Sequence, residues 1–285
     1  IQFHILGIRA EGGAGNSLVF SQVVAMAGTV CLAAALSIGR KMVLFLLSAF
    51  LASLVAIVYA ESRTVWVSTL CTTILILWIY RRNLPHVLSR RMTLGGIFIL
   101  ALIAVASFHS VSDRFQVMFD DLNHAFAHGD YRTPIGQRLA LWQIGLHLVQ
   151  EKPVLGYGMQ STRELIHHGL QAGYGAPFKY SHFHNGILTL LIEAGIGGAL
   201  AIVAIFLAAS IYAWRTLRSS DDEIERFGAT VLASFVCLYF LSGMTNLLVG
   251  HDIIDTTLMI FLTIGSYLAL GTSMLQRKPG NSAPS

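Results

Sequence analysis

Long apolar stretches separated by short polar segments dominate the chain. A helix needs about 20 mainly apolar residues to cross a ~30 Å hydrocarbon core. Seven segments meet this requirement, namely 17–38, 42–60, 64–80, 93–111, 195–214, 227–248 and 253–275. None of them alternates as strands do, and within lipid a helix satisfies all of its own backbone groups. The pattern predicts an all-α polytopic membrane protein with about seven transmembrane helices.

One extended polar region, 112–182, separates the fourth predicted span from the fifth. It is too long and too rich in periodic apolar residues to be a plain linker. We predict a helix over 136–150, which Pro153 ends, and a second helix over about 159–171. Both are expected to lie on the outer membrane surface and to cover a cavity. The predicted division is four transmembrane helices over 1–111, the loop 112–182, three transmembrane helices over 183–275 and a cytoplasmic tail over 276–285.

The apolar run 183–214 is longer than one span requires at about 1.5 Å per residue. Gly195, Gly197 and Gly198 lie inside it. We predict a short helix beginning at His184 that breaks or bends at these glycines before the chain crosses the membrane. The alternative is close helix packing through small residues, and the sequence leaves both interpretations open.

The basic residues predict the orientation of the spans. If the spans alternate, 11 of the 19 basic residues fall on one side: Arg40, Lys41, Arg81, Arg82, Arg90, Arg91, Arg215, Arg218, Arg226, Arg277 and Lys278. Short loops rich in Lys and Arg face the cytoplasm. The loop 112–182 and the turns at 60–63 and 250–252 are therefore predicted to face outward.

Composition agrees with a membrane protein. Hydrophobic residues make up 54% of the chain and charged residues 12%, against roughly 25% charged residues in soluble domains. The net charge of +4 does not indicate a nucleic-acid partner. In a membrane protein, the informative property of the basic residues is which side of the membrane they occupy. Three cysteines, far apart in apolar runs, indicate neither a disulfide nor a metal site. The chain begins at Ile1 without an initiator methionine, and we expect it to be the C-terminal portion of a longer protein.

The candidate chemistry starts at His182-Phe183-His184-Asn185, where the polar loop meets an apolar run. Imidazole changes charge near neutral pH and can accept a proton where other side chains cannot. The competing interpretation is that these histidines are interfacial residues or helix caps. For Asn185, capping a helix is the favoured role over orienting an imidazole.

Cationic side chains share the predicted outer side with these histidines: Arg63, Arg132, Arg138 and Lys179. A single arginine at a membrane boundary often reaches into the headgroup layer without further function. Several cations beside a histidine instead indicate an anionic ligand, and guanidinium groups match phosphate oxygens bidentately. A lipid diphosphate is the natural anion at this position. Walker, H-E-x-x-H, D-x-D and C-x-x-C patterns are absent, so no cofactor or metal is predicted.

Three short motifs resemble the O-antigen ligase superfamily in combination. They are Gly136-Gln137-Arg138-Leu139-Ala140-Leu141-Trp142, then Pro153-Val154-Leu155-Gly156-Tyr157-Gly158, then His184-Asn185 with nine residues before Gly195 and a further Gly198. The first is similar to G-R-L-x-x-W, with Gln137 between the glycine and the arginine, and the other two match P-x-x-G-x-G and H-N-x9-G-x-x-G. Ser62-Arg63 at the start of a span also fits. The resemblance covers about residues 10–275.

The resemblance implies a GT-C-like fold and a metal-independent glycosyltransferase in the bacterial inner membrane. Its donor would be a glycan linked to undecaprenyl diphosphate at the periplasmic face. The surrounding membrane lipids would be further partners. Arg63 and Arg138 match the family's diphosphate-binding arginines, and His184 matches its proposed base. Arg132, Lys179 and Asn185 are further candidates for substrate binding.

Three functions remain open on the sequence. A ligase that transfers glycan to lipid A core shares donor and chemistry with a polysaccharide polymerase. A transporter of lipid-linked sugars is a different class, which predicts internal repeats and charged residues inside the spans. The span cores carry almost no ionisable side chains and no repeat is seen, so the sequence favours an enzyme.

Overall fold

A computed structural model describes residues 10–37, 41–87, 89–173 and 180–275. Within these ranges the chain forms ten helices and no strand. In chain order they are α1 (Ser17–Ser37), α2 (Val43–Tyr59), α3 (Arg63–Ile79), α4 (Leu84–Val87), α5 (Arg90–His128), α6 (Pro134–Glu151), α7 (Thr162–Gly173), α8 (Gly186–Ser219), α9 (Glu223–Gly243) and α10 (Asp252–Leu275). The all-helical prediction is confirmed for this part of the chain.

Several of these helices have the length and composition of membrane spans. α1, α8, α9 and residues Asp252–Gly271 of α10 are long and apolar enough to cross a membrane. α2 and α3 are apolar helices of 17 residues each, and the predicted span 93–111 lies within α5. These helices support a polytopic membrane protein. The count of seven spans and the GT-C-like architecture remain predictions.

The helix α9 lies at the centre of the bundle. It packs against α10, α8, α3 and α1, and its buried side chains include Leu232, Phe235, Leu238 and Tyr239. Gly228 lets α10 approach closely, because a Cβ there would lie 2.5 Å from the backbone nitrogen of Ala269. Close backbone approach through small residues is a common way for membrane helices to associate.

The helix that contains the fourth predicted span continues beyond the point where the composition changes. α5 continues from Arg90 through residue 111 to His128, so the predicted start of the loop at 112 falls inside a continuous helix. No glycine or proline occurs between 112 and 128 to end it. Gly129 ends it instead, with a φ of 64° in the left-handed region that glycine adopts readily.

The two helices predicted in the loop are present. α6 spans Pro134–Glu151 and α7 spans Thr162–Gly173, within three residues of the predicted bounds. Together with the first turns of α8 they enclose a second apolar core made of Leu141, Ile166, Leu170, Phe183, Leu188 and Ile192. This core fixes α6 and α7 over the start of α8, which is where the candidate histidines lie.

The predicted break in α8 is confirmed at Gly195, whose φ of 63° and ψ of −168° are not helical. The break deprives the carbonyls of Ile192 and Glu193 of their helical partners. The backbone nitrogens of Tyr157 and Gly158 donate to these two carbonyls at 2.7 and 2.9 Å. The nitrogen of Ile196 donates to the carbonyl of Pro153 at 2.9 Å. The Pro153–Gly158 motif therefore supplies hydrogen-bond partners to the backbone at the break in α8.

Gly195→Ala should destabilise the fold, because a Cβ there would lie 2.0 Å from the carbonyl oxygen of Val154 and the φ is left-handed. We expect a loss of about 2 kcal/mol or more in the free energy of unfolding. Gly197→Ala is the matched control, since nothing lies within 4 Å of its Cβ position. Thermal unfolding of both purified variants in detergent measures the difference. Equal midpoints would contradict this account of the break.

Candidate active site

Phe183 anchors the segment that carries the histidines. Its side chain is fully buried in the core beneath α6 and α7. Its carbonyl accepts a hydrogen bond from Trp142 Nε1 at 3.0 Å. With Phe183 held in this way, the rings of His182 and His184 lie side by side, and their centroids are 4.2 Å apart.

The backbone at His184 is strained. Its φ is 48°, in the left-handed region that few residues other than glycine adopt. Such strain is often found at functional sites and persists only where surrounding contacts hold it. The helix α8 begins at Gly186, two residues after the predicted start at His184, with Asn185 as its N-cap. Asn185 Oδ1 accepts from the backbone nitrogen of Leu188 at 3.1 Å, so the capping role is confirmed.

Arg138 lies in the first turns of α6 and faces this segment. Thr133 Oγ1 caps α6 by accepting from the nitrogen of Gly136 at 3.1 Å. The guanidinium of Arg138 is close enough to Tyr180, His182 and His184 to lower the pKa of each. Trp142 follows Arg138 by four residues and therefore lies on the same side of the helix. The spacing of the G-R-L-x-x-W motif places one cation and one hydrogen-bond donor against the histidine segment.

Tyr180 and Gln137 complete this side of the site. The ring of Tyr180 meets that of His184 edge to face, with centroids 5.3 Å apart. Its hydroxyl donates to Gln137 Oε1, and Gln137 Nε2 donates to the carbonyl of Arg132 at 2.8 Å. Gln137 thus joins the turn before α6 to the histidine segment.

The turn between α9 and α10 closes the other side of the site. The Asn246 side chain, which is buried, lies beside His182 and raises its pKa, whereas His251 lowers it. Tyr239 holds the turn by donating its hydroxyl to the carbonyl of Leu248 at 2.6 Å. Gly186 allows the turn to pack on the start of α8, because a Cβ there would lie 2.7 Å from the nitrogen of Leu248.

Arg63, the first residue of α3, lies at the same end of the bundle. The hydroxyls of Thr64 and Thr245 are 2.6 Å apart, which joins the start of α3 to the turn that carries Asn246. Arg63 is partly buried, and Glu61 just before it has a left-handed φ of 52°. The fold therefore brings the start of α3 to the turn that meets His182.

Burial keeps both histidines neutral. It is the main cause that lowers the pKa of His182 to about 4 and that of His184 to about 3, and Arg138 adds to both effects. The ring atoms His182 Nε2, His184 Nδ1 and His251 Nδ1 are buried without a hydrogen-bond partner among the described residues. Buried polar atoms without a partner are rare, and they often mark the place of a ligand or water. The neutral imidazoles of His182 and His184 are able to accept a proton.

The predicted binding residue Arg132 is not brought into this cluster. Arg132 is exposed in the turn before α6; its nitrogen donates to Asp130 Oδ1 at 3.0 Å. Lys179 lies outside the described residues. No three His, Cys, Asp or Glu side chains among the described residues could hold a metal ion, and metal independence stays a prediction.

The sequence assigned no role to several members of the cluster. His182 lies outside the recognised motifs, Gln137 lies within the first motif without an assigned role, and Tyr180, Asn246 and His251 belong to none of the motifs. The predicted topology was a usable signal for His251, because it placed the turn 250–252 on the same side as His184. Nothing in the pattern indicated that this turn would reach His182.

Comparisons with known proteins agree with the motifs. A family model described as O-antigen ligase matches residues 47–203, more than half of the chain. An uncharacterized protein of Haemophilus influenzae is 22% identical over 191 residues, covering 65% of this chain and 47% of that protein. A Rickettsia conorii protein named "Putative polysaccharide ligase RC0486" is 28% identical over 116 residues, covering 38% of this chain and 26% of that protein. The chain thus matches less than half the length of either relative.

Proposed function

Because this chain belongs to the O-antigen ligase family, we propose that it is a membrane glycosyltransferase that moves a glycan from undecaprenyl diphosphate to lipid A core. One observation carries the proposal. Arg138 is close enough to two buried neutral histidines to lower the pKa of both, and each histidine has a buried ring nitrogen without a partner among the described residues. A fixed cation beside a neutral base suits a reaction that releases an anionic group and a proton.

The arginines would act on the diphosphate. Arg138 and Arg63 bind its oxygens and stabilise the negative charge that grows as the bond between the sugar C1 and the diphosphate oxygen breaks. Guanidinium suits this role because it stays charged and presents paired donors. Arg132 and Lys179 are proposed to contact the substrate at the edge of the site, where Arg132 is exposed.

His184 would act as the general base. An acceptor hydroxyl oxygen attacks C1 and inverts that centre, while the hydroxyl proton passes to the imidazole and then to solvent. The free site holds the imidazole neutral, because its pKa is lowered to about 3. A bound diphosphate brings negative charge and raises that pKa. The donor would therefore strengthen the base that the reaction requires.

The proposed location is the bacterial inner membrane with the site facing the periplasm. Among the described residues, four helices long and apolar enough to span a membrane support the first part. The basic residues predicted on the opposite side, such as Arg81 and Arg218, support the orientation. In this orientation α6 and α7 lie over the outer membrane surface, where a lipid-linked glycan is accessible.

A polymerase of the same family is the second candidate, since it uses the same donor. Incubation of the purified protein with undecaprenyl-diphosphate-linked glycan and lipid A core separates the two. We expect glycan on the lipid A core, detected as a mass increase of that acceptor. Longer glycan on the carrier, with unmodified core, would instead establish the polymerase. No change in either lipid would contradict both.

A further inference from the structure

A second cationic cluster lies at the opposite end of α3, α8 and α9, the three helices that reach the candidate active site. α3 runs from Arg63 to Ile79, about 25 Å at 1.5 Å per residue. At its far end lie Trp78, Arg81 and Arg82. Trp214 and Arg218, near the end of α8, meet them there. This distance is close to the thickness of a hydrocarbon core.

Two tryptophans form the centre of this cluster. The rings of Trp78 and Trp214 stack with centroids 6.2 Å apart and an angle of 6° between their planes. The guanidinium of Arg81 lies 4.7 Å from the ring centre of Trp78, and that of Arg218 lies 4.7 Å from the ring centre of Trp214. Such cation–π contacts hold guanidinium groups in place without neutralising them.

The cluster surrounds a cavity of about 460 Å³, lined by Trp78, Ile79, Arg81, Arg82, Trp214, Leu217, Arg218 and Arg226. Four of these residues are arginines, and none is acidic. Arg226 is fixed by donating to the carbonyl of Leu217 at 2.7 Å, and Arg81 by donating to that of Trp78 at 2.9 Å. The cavity therefore presents oriented positive charge.

The nearest run of acidic residues begins α9, and two of its members have other hydrogen-bond partners. Asp222 caps the helix by accepting from the nitrogens of Ile224 and Glu225. Glu225 accepts from Ser220 Oγ. The arginines therefore face the cavity without a carboxylate in its lining.

An apolar groove of about 250 Å³ continues from this cavity. The two spaces share Trp78, Ile79, Trp214 and Leu217. The groove lies between α3 and α8, and its floor is formed by Ala233, Val236 and Cys237 of α9. A positively charged cavity that continues into an apolar groove matches a molecule with an anionic headgroup and a hydrocarbon chain.

We propose that this end of the bundle binds an anionic phospholipid of the surrounding membrane. Its phosphate lies among Arg81, Arg82, Arg218 and Arg226, and one acyl chain lies in the groove against Val236. Isolated arginines at a membrane boundary reach into the headgroup layer anywhere along it. Here the continuous groove adds a place for the chain, which a soluble anion does not require. Binding would tie the ends of α3 and α8 together.

Native mass spectrometry of the protein in a neutral detergent tests the proposal, with dioctanoyl phosphatidylglycerol and dioctanoyl phosphatidylcholine as the probes. We expect tighter binding of phosphatidylglycerol. The double variant Arg82→Gln/Arg218→Gln should weaken it by roughly 5-fold per arginine. Both side chains are exposed, so folding should be retained. Arg215→Gln is the matched control, an exposed arginine on α8 outside the cavity lining.

The remaining outcomes distinguish a bound lipid from a soluble anion and from general surface charge. Val236→Phe fills the groove and should weaken phosphatidylglycerol binding while leaving all four arginines in place. Retained binding in Val236→Phe would overturn the lipid assignment, as would displacement of the lipid by inorganic phosphate at similar concentration. Equal binding of the two lipids would contradict the proposed site. So would a loss of phosphatidylglycerol binding in Arg215→Gln as large as in the double variant, because general surface charge would then explain the binding.

Discussion

Arg138→Ala should lower the rate of glycan transfer by roughly 10²–10³-fold, the range measured when one preorganised donor to a developing charge is removed. Arg138 lies beside Tyr180, His182 and His184 and adds a positive field at all three. Donor binding should weaken as well, because the diphosphate loses a cation in both the ground state and the transition state. Transfer under single-turnover conditions and donor affinity together measure the two effects.

Two further variants make this result specific. Arg138→Lys keeps the charge but loses the paired donors, so we expect it to recover only part of the rate. Arg163→Ala removes an exposed arginine from α7 and should leave transfer unchanged. Full activity in Arg138→Ala would remove this arginine from the proposed diphosphate site. Failure of the protein to accumulate in the membrane would assign it a structural role.

The sequence was sufficient to predict the long helices, because apolar runs have local causes. The break in α8 was one of two interpretations that the clustered glycines left open, and the φ of Gly195 decides for it. The sequence was insufficient for the end of α5. The composition becomes polar after residue 111, yet a helix ends where its hydrogen bonds are capped, and Gly129 provides that cap. The boundary predicted from polarity lies inside this helix, and the position at which the chain leaves the membrane stays a prediction.

The motifs were recognisable in the sequence, but their physical roles became clear only from contacts between distant segments. Trp142 holds the carbonyl of Phe183, and Pro153–Gly158 supplies hydrogen bonds to the break at Gly195. The reach of Asn246 and His251 to His182 depends on how α9 and α10 pack. No local pattern encodes that packing, so the approach of these two residues to His182 could not be predicted.

His184→Ala should lower transfer by about 10²-fold or more, the usual contribution of a general base. Donor binding should be kept, because Arg63 and Arg138 remain. His182→Ala should cost much less, although its ring lies only 4.2 Å from that of His184. His168→Ala is a control, since this exposed histidine on α7 lies 3.9 Å from Glu164, away from the proposed site.

The pH dependence of the wild-type protein follows from the same imidazole. A base is active only when it is neutral, so the rate falls as the pH drops through its pKa. kcat/KM reports the free enzyme, where the pKa of His184 is lowered to about 3. We therefore expect kcat/KM to stay constant as the pH is lowered through ~6.5, the unperturbed value. The acid limb of kcat should lie at higher pH, because bound diphosphate raises the pKa.

The most direct test of the proposed site is to measure transfer and donor binding on the same preparation of His184→Ala. We expect single-turnover transfer slowed by about 10²-fold or more, with affinity for the undecaprenyl-diphosphate-linked glycan unchanged. Transfer near the wild-type rate would contradict the account, because His184 would then serve only to shape the start of α8. Loss of donor binding in a folded protein would contradict it differently, since the imidazole would then be a phosphate ligand.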